Sequence, residues 1–163
     1  MAPHADEILI REAKPDDFGD VFELVLELRS SHGEKGKLDK QGIRPIFQRY
    51  LSNSDKYIYV AESRGLLVGF MSITIGESLY EDKPWAEVDE LVVKEGYRSQ
   101  GLGGRLLDEV FRIAHERQCN VVVLAADINN ARAIEFYGEL GFKSGEIVLE
   151  KELAVGETDG GLG

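Results

Sequence analysis

Two groups of residues in this chain have types and spacings that could do chemistry. The first is Arg98-Ser99-Gln100-Gly101-Leu102-Gly103-Gly104. It joins an apolar, β-branched run ending in Leu91-Val92-Val93 to the series Leu102, Leu106, Val110, Phe111 and Ala114, which repeats at helical spacing. A strand that empties into a glycine-rich helix start presents N–H groups with no intrahelical acceptor, at the positive end of the helix dipole. Such a junction binds anions, phosphate above all. Glycine lets the ligand approach the backbone because no Cβ stands in the way. The second group is Glu87, Asp89 and Glu90, on the strand that leads into this junction. Regular alternation puts Glu87 and Asp89 on one face and Glu90 on the other. A carboxylate near an ammonium group can orient it and accept its proton.

Counting narrows the phosphate ligand. The dinucleotide fingerprint requires a glycine three places after Gly103, where Leu106 stands. The nucleotide P-loop requires Gly, four residues, then Gly-Lys-Ser/Thr. Gly96 and Gly101 have that separation, but Leu102 occupies the lysine position. Neither motif is present. What remains is Arg98-x-x-Gly101-x-Gly103, then a strand from Asn120 to Ala126, then Asn130-x-x-Ala133-x-x-Phe136-Tyr137-x-x-x-Gly141-Phe142. In these two motifs the chain resembles the GNAT superfamily of acetyl-CoA-dependent N-acetyltransferases. The resemblance is close over about residues 86–144 and elsewhere lies mainly in the order of elements.

The resemblance implies an α/β fold: a single GNAT-like domain over residues 6–153, followed by a disordered tail over 154–163. Its sheet is expected to be mixed, mostly antiparallel and of about seven strands, with helices on both faces and a splay between strands 4 and 5. Acetyl-CoA is the implied cosubstrate. The loop Arg98, Ser99, Gln100, Gly101, Leu102, Gly103, Gly104 would give its N–H groups to the CoA pyrophosphate, with charge from Arg98 and Arg105 nearby. The backbone of Leu91, Val92 and Val93 would pair with the pantetheine arm, and Asn130, also a good helix N-cap, would bond to it. Tyr137 matches the tyrosine beside the thioester sulfur; Glu87 and Asp89 lie where several family members carry a general base and are the first candidates, with Glu90, the third carboxylate of the strand, a further one. A tyrosine pKa of about 10 lies roughly 1.5 units above a thiol's, so full proton transfer would be uphill by about 2 kcal/mol. Stabilising the departing thiolate by a hydrogen bond is therefore the favoured role for Tyr137. The acceptor amine must be neutral to attack, and for a lysine-like amine at pH 7 that costs roughly 4–5 kcal/mol.

Periodicity places the elements that must hold these groups. Ile8–Glu12 alternates as a strand, and Lys14-Pro15-Asp16-Asp17 signals the start of a helix carrying Phe18, Val21, Phe22, Val25 and Leu28. Residues 30–40 read as a polar loop, and 42–51 as a second helix with Pro45 in its first turn. Strands follow at 56–62 and 66–76, joined by the Ser63-Arg64-Gly65 turn, then an acidic loop at 77–84 and a strand at 85–93. Residues 146–153 alternate as a last strand.

Composition excludes other classes. At 163 residues with 43% hydrophobic content, the chain is long enough for one core without disulfides or metals. The single cysteine, Cys119, fits a reducing cytoplasm, and its position far from both motifs disfavours a covalent acetyl-cysteine route. Three scattered histidines make no metal cluster; His32, in the polar loop, is a minor candidate at the acceptor side. A net charge of −11 argues against nucleic acid and is compatible with a cationic acceptor. No apolar run is long enough to span a membrane, and the start lacks a signal peptide's pattern. A cytoplasmic enzyme acting on acetyl-CoA and an amine is the expectation, with room for a homodimer. The alternative class is a binding module that senses acyl-CoA without turnover.

Overall fold

Arg64 and Gly65 both take left-handed backbone (φ 51° and 81°), the conformation a two-residue hairpin demands. They reverse the chain between β2 (Lys56–Ser63) and β3 (Leu66–Gly76). Around this hairpin a computed structural model, describing residues 8–154, places β1 (Ile8–Glu12), α1 (Phe18–Ser31), α2 (Lys40–Ser52), β4 (Trp85–Val93), α3 (Leu102–Glu116) and β5 (Val121–Leu124). The sheet runs in sequence order, antiparallel from β1 to β4 and parallel between β4 and β5. The chain divides into two units at Ala125 and Ala126, and the second carries α4 (Ala131–Glu139).

Helices cover both faces of this sheet, as expected. Phe18, Val21, Phe22 and Leu24 of α1 and Phe47 of α2 pack with Ile58, Val60, Leu67, Phe70 and Val92 of the strands. The opposite face takes α3. Leu106 lies beside Gly69, where an added Cβ would stand 3.5 Å from its Cδ1 and 2.9 Å from the Val92 carbonyl. Arg112 and Arg117, at the far end of α3, donate to the hydroxyls of Tyr59 (2.8 Å) and Tyr57 (2.9 Å), which alternate with Ile58 and Val60. Leu106, Leu107 and Val110 are fully buried there.

The α1 side is fastened at its start. Asp17 accepts from Arg11 Nη1 (2.7 Å), Arg11 Nη2 (3.0 Å) and the Lys14 amide (2.7 Å), and Arg11 Nε also donates to Glu62 at 2.8 Å. One buried carboxylate thus ties β1 and the 3-10 turn Pro15–Asp17 to the first turn of α1. Helix α2 begins at Lys40, earlier than periodicity places it. The cause is Asp39, whose side chain accepts from the amides of Gln41 and Gly42. Pro45 accordingly lies inside α2 and not in its first turn.

The described residues form five strands, not about seven. The alternating stretch 146–153 is no strand, and Ile147, Leu149 and Leu153 are exposed. A strand exists only by pairing, and the described residues of the second unit contain no strand for this stretch to pair with. The expected strand from Asn120 to Ala126 shortens to Val121–Leu124. Residues 6 and 7 of the expected domain, and 155–163 of the expected tail, lie outside the described residues. No helix among the described residues is long and apolar enough to cross a membrane.

Candidate active site

Strand β4 carries one extra residue. Ser72 is paired with Glu90 and Ile73 with Val88, so Asp89 has no partner of its own across the ladder to β3. Such a β-bulge bends the strand and breaks its alternation. Glu87, opposite Thr74, shares a face with Ser72 and Glu90, and Asp89 turns to that face as well. The sequence reading that set Glu90 on the face away from Glu87 and Asp89 is thereby corrected. All three carboxylates lie on one side.

Hydroxyl groups hold two of them. Asp89 Oδ2 accepts from Tyr50 (2.8 Å) and from Thr74 (2.6 Å). Ser72 donates to Glu90 Oε2, and the Glu90 amide donates back to Ser72 Oγ at 3.1 Å. Glu90 keeps an exposed surface, yet enough protein surrounds its carboxyl that desolvation pushes it above its ordinary value. The Ser72 hydroxyl pulls in the other direction, Asp89 adds to the rise, and Lys56 opposes it. A carboxyl raised in this way, with an open side, can accept a proton from a donor that reaches it. Sequence reasoning missed Tyr50, Lys56, Ser72 and Thr74. Only the pairing of β3 with β4 could have pointed to the last two, and nothing in the sequence marks the bulge that sets that register.

Beyond the carboxylates, no described strand pairs with the outer edge of β4. Pairing with β5 runs from Trp85–Val88 against Val121–Leu124 and stops there. The Lys94 amide donates to the Val68 carbonyl at 2.8 Å, and the Val92 carbonyl also lies on the β3 side. Strand alternation therefore turns the backbone groups of Leu91 and Val93 toward the open edge and those of Val92 into the sheet. Leu91 and Val93 can pair with an extended ligand. Val92, expected to do so as well, faces β3 instead, and its side chain is core.

The loop follows directly. Ser99 (φ 61°) and Gly101 (φ 77°) are left-handed, a rare state for serine. Gly101 is the N-cap of α3 and supplies no side chain to cap its first turn, Leu102-Gly103-Gly104. A Cβ added at Gly101 or Gly104 would meet nothing within 4 Å. At Gly104 neither backbone angle nor packing calls for glycine, and open approach to the helix start is the remaining reason. Glu27 of α1 braces the loop, its Oε1 accepting from the Glu95 amide (2.9 Å) and Arg98 Nη2 (3.2 Å). Arg98 Nε donates to the Val93 carbonyl at 2.8 Å, Arg105 Nη2 to the Ile8 carbonyl at 2.7 Å, and Gln100 Nε2 to the Gly96 carbonyl at 3.3 Å. Here both arginines, expected to add charge beside phosphates, are engaged by protein acceptors.

The second unit holds the other motif. The Asn130 side chain caps α4, accepting from the Ala133 amide at 3.1 Å. Left-handed Gly141 (φ 91°) ends that helix and lets the Phe142 amide return to the Tyr137 carbonyl at 3.0 Å. Tyr137 then lies between Phe136 (ring centroids 5.3 Å apart) and Phe142 (5.8 Å, edge-on). Burial raises the Tyr137 hydroxyl above its ordinary value, so it remains a proton-bearing donor. Cys119 is half-buried with its thiol pushed up by desolvation, the opposite of an activated nucleophile. His32 caps the C-terminal end of α1.

Comparison with known proteins identifies the family. The profile of the Acetyltransferase (GNAT) family matches residues 21–142, and the chain belongs to that family. It is 29% identical over 140 residues to an uncharacterized N-acetyltransferase of Methanocaldococcus jannaschii, spanning 85% of this chain but only 62% of that protein. It is 28% identical over 144 residues to the aminoalkylphosphonate N-acetyltransferase of Salmonella typhimurium, covering 88% of this chain and 90% of that one. Among solved structures, its fold is similar to that of an aminoglycoside acetyltransferase from an uncultured soil metagenomic sample, bound to sisomicin. That match has a TM-score of 0.74 at 20% identity, over 93% of this chain and 98% of the other.

Proposed function

We propose that this protein transfers the acetyl group of acetyl-CoA directly to a primary amine of a small molecule or peptide, in the cytoplasm. The observation that carries the reading is the continuity of β4 into α3. Along one run of chain lie a carboxylate triad, a strand edge that no described strand pairs with and a helix start capped only by glycine. In that order they suit an amine, a pantetheine arm and a pyrophosphate. Relatives named for aminoalkylphosphonate and aminoglycoside acetylation support a small amine as acceptor.

The amine nitrogen attacks the thioester carbonyl carbon, the carbon–sulfur bond breaks, and CoA leaves as its thiolate. Glu90 takes the proton that the ammonium must lose before attack, directly or through one water, and the second proton, shed by the nitrogen as the carbon–sulfur bond breaks, passes to solvent. Tyr137, by the motif it matches, gives a hydrogen bond to the thiolate as it develops. Leu91 and Val93 hold the pantetheine amides, and the loop's N–H groups hold the phosphates.

Amine-dependent release of free CoA thiol, followed with a panel of primary amines, tests this. Saturable release with at least one amine supports the enzyme. Tight acetyl-CoA binding with no release from any amine would favour the sensing module instead.

A further inference from the structure

The carboxylates of β4 have a cationic counterpart outside both family motifs. Lys56 opens β2 and lies within a loop's length of α2. Its ammonium sits 4.4 Å from the centroid of the Tyr50 ring and donates to Thr74 Oγ1 at 2.9 Å. Thr74 and Tyr50 both donate to Asp89 Oδ2. Four elements, α2, β2, β3 and β4, thus contribute one side chain each to a closed polar circuit. Two exposed carboxylates adjoin the circuit: Glu87, opposite Thr74, and Glu90, the residue after Asp89 on β4.

We propose that Lys56 is a positioning residue for acetyl transfer: it fixes Asp89 through Thr74 and Tyr50, and its charge offsets that of Asp89 at Glu90, keeping Glu90 available as the proton acceptor. The inference rests on the acetyltransferase reading. The groups that face Glu90 are Asp89 on its own strand, Ser72 on β3, Lys56 on β2 and Tyr50 on α2. Tyr50 is a neutral donor, its hydroxyl pushed far above its ordinary value by burial and then by Asp89. That leaves two charges of opposite sign, Asp89 raising the Glu90 carboxyl and Lys56 lowering it. Without Lys56 the base would hold its proton to higher pH and be absent when the amine arrives.

The opposition gives a signed test on the full chain. Carbon-13 NMR of labelled glutamate carboxyls, with Glu90→Gln identifying the resonance, reads the Glu90 titration with no turnover needed. In Lys56→Met, which keeps the aliphatic stem on the Tyr50 ring, the midpoint moves up. In Lys56→Arg it returns to the wild-type position, and in Asp89→Asn it moves down. The acid limb of kcat/KM for an amine acceptor moves in the same directions. An unmoved Glu90 midpoint in Lys56→Met, in a protein that does acetylate amines, overturns the role of Lys56 alone. Shifts as stated with no thiol release from any amine overturn the acetyltransferase reading, and the role with it.

Discussion

Asp89 and Glu90 are consecutive residues, yet both carboxylates face the same side of the sheet, one held by Thr74 and Tyr50 and the other by Ser72. Glu90 combines an open side with a carboxyl raised by desolvation. Glu90→Gln should therefore lower kcat/KM for the amine by about 10²–10³-fold near neutral pH, with acetyl-CoA affinity unchanged. The pH profile fixes the sign. A base works deprotonated, and because this carboxyl is raised, the wild-type rate falls as pH drops through a value above the ordinary carboxylate range. The variant loses that limb, and its deficit narrows at high pH where the amine is already neutral. A wild-type profile in Glu90→Gln would move the role to Glu87 or Asp89.

How far the sequence could lead is visible at this same strand. The carboxylates, the Leu91–Val93 run and the glycine loop all follow from composition and spacing, and each lies on the element expected. The faces did not follow, because a bulge at Asp89 carries no glycine or proline to announce it. The Ser63-Arg64-Gly65 turn shows the converse: where turn chemistry is written in residue types, the hairpin is legible. The seven-strand expectation failed for a further reason. Alternation at 146–153 records a capacity to pair, and pairing is a property of partners that no single segment encodes.

The glycine loop can be tested by opposite effects of two neighbours. Gly103→Glu adds bulk and negative charge at the start of α3 and should abolish acetyl-CoA binding in a folded protein, read by calorimetry. Gly104→Ala places a Cβ where nothing lies within 4 Å. It should raise stability by about 0.5–1 kcal/mol, the usual gain of alanine over glycine within a helix. If Gly104→Ala destabilises the fold, the glycine serves packing and the argument for ligand approach fails at that residue.

Asp17 offers a prediction about the scaffold that carries α1 and, through Glu27, the loop. Hydrogen bonds from Arg11 are the largest cause holding its carboxyl below the ordinary range, against desolvation, with the Lys14 amide helping. Asp17→Asn should cost about 1.5–3 kcal/mol at pH 7 by urea denaturation, the range for a hydrogen bond to a charged group. A depressed carboxylate stabilises fully above its unfolded pKa of about 3.9, and that contribution disappears as pH falls through the lower folded value. The gap between wild type and variant should stay constant from neutral pH down to about 4 and shrink below it. A gap that is flat to pH 2 would mean the carboxylate's charge contributes nothing.

Tyr137→Phe separates a working hydroxyl from a packed ring. The ring contacts with Phe136 and Phe142 survive the substitution, so stability should change little. If the hydroxyl bonds to the developing thiolate, kcat drops by roughly 10-fold or more while the dissociation constant for acetyl-CoA holds. Because burial raises this hydroxyl, the loss should be uniform from pH 6 to 9, with no new ionisation in the profile. Turnover equal to wild type would leave Tyr137 as a core aromatic.

The acceptor is expected to be a primary amine that approaches over an acidic surface. Beside β4 the connection from β3 forms a shallow pocket of about 380 Å³ lined by Glu77, Ser78, Leu79, Glu81, Asp82, Lys83 and Pro84. With Glu87 and Glu90 these carboxylates would attract an ammonium, and at exposed sites such attraction weakens as salt rises, with a screening length of about 8–10 Å at physiological strength. Polyamines, aminoglycosides, aminoalkylphosphonates and peptide N-termini can be compared at low and moderate salt. A cationic acceptor should show a Michaelis constant that climbs with ionic strength, while kcat, set by the desolvated Glu90, holds steady. Charge reversal at Glu81 and Asp82 should remove most of that salt dependence without touching acetyl-CoA binding. A best substrate that is neutral or anionic, with a salt-independent Michaelis constant, would show that the acidic loop plays no part in capture.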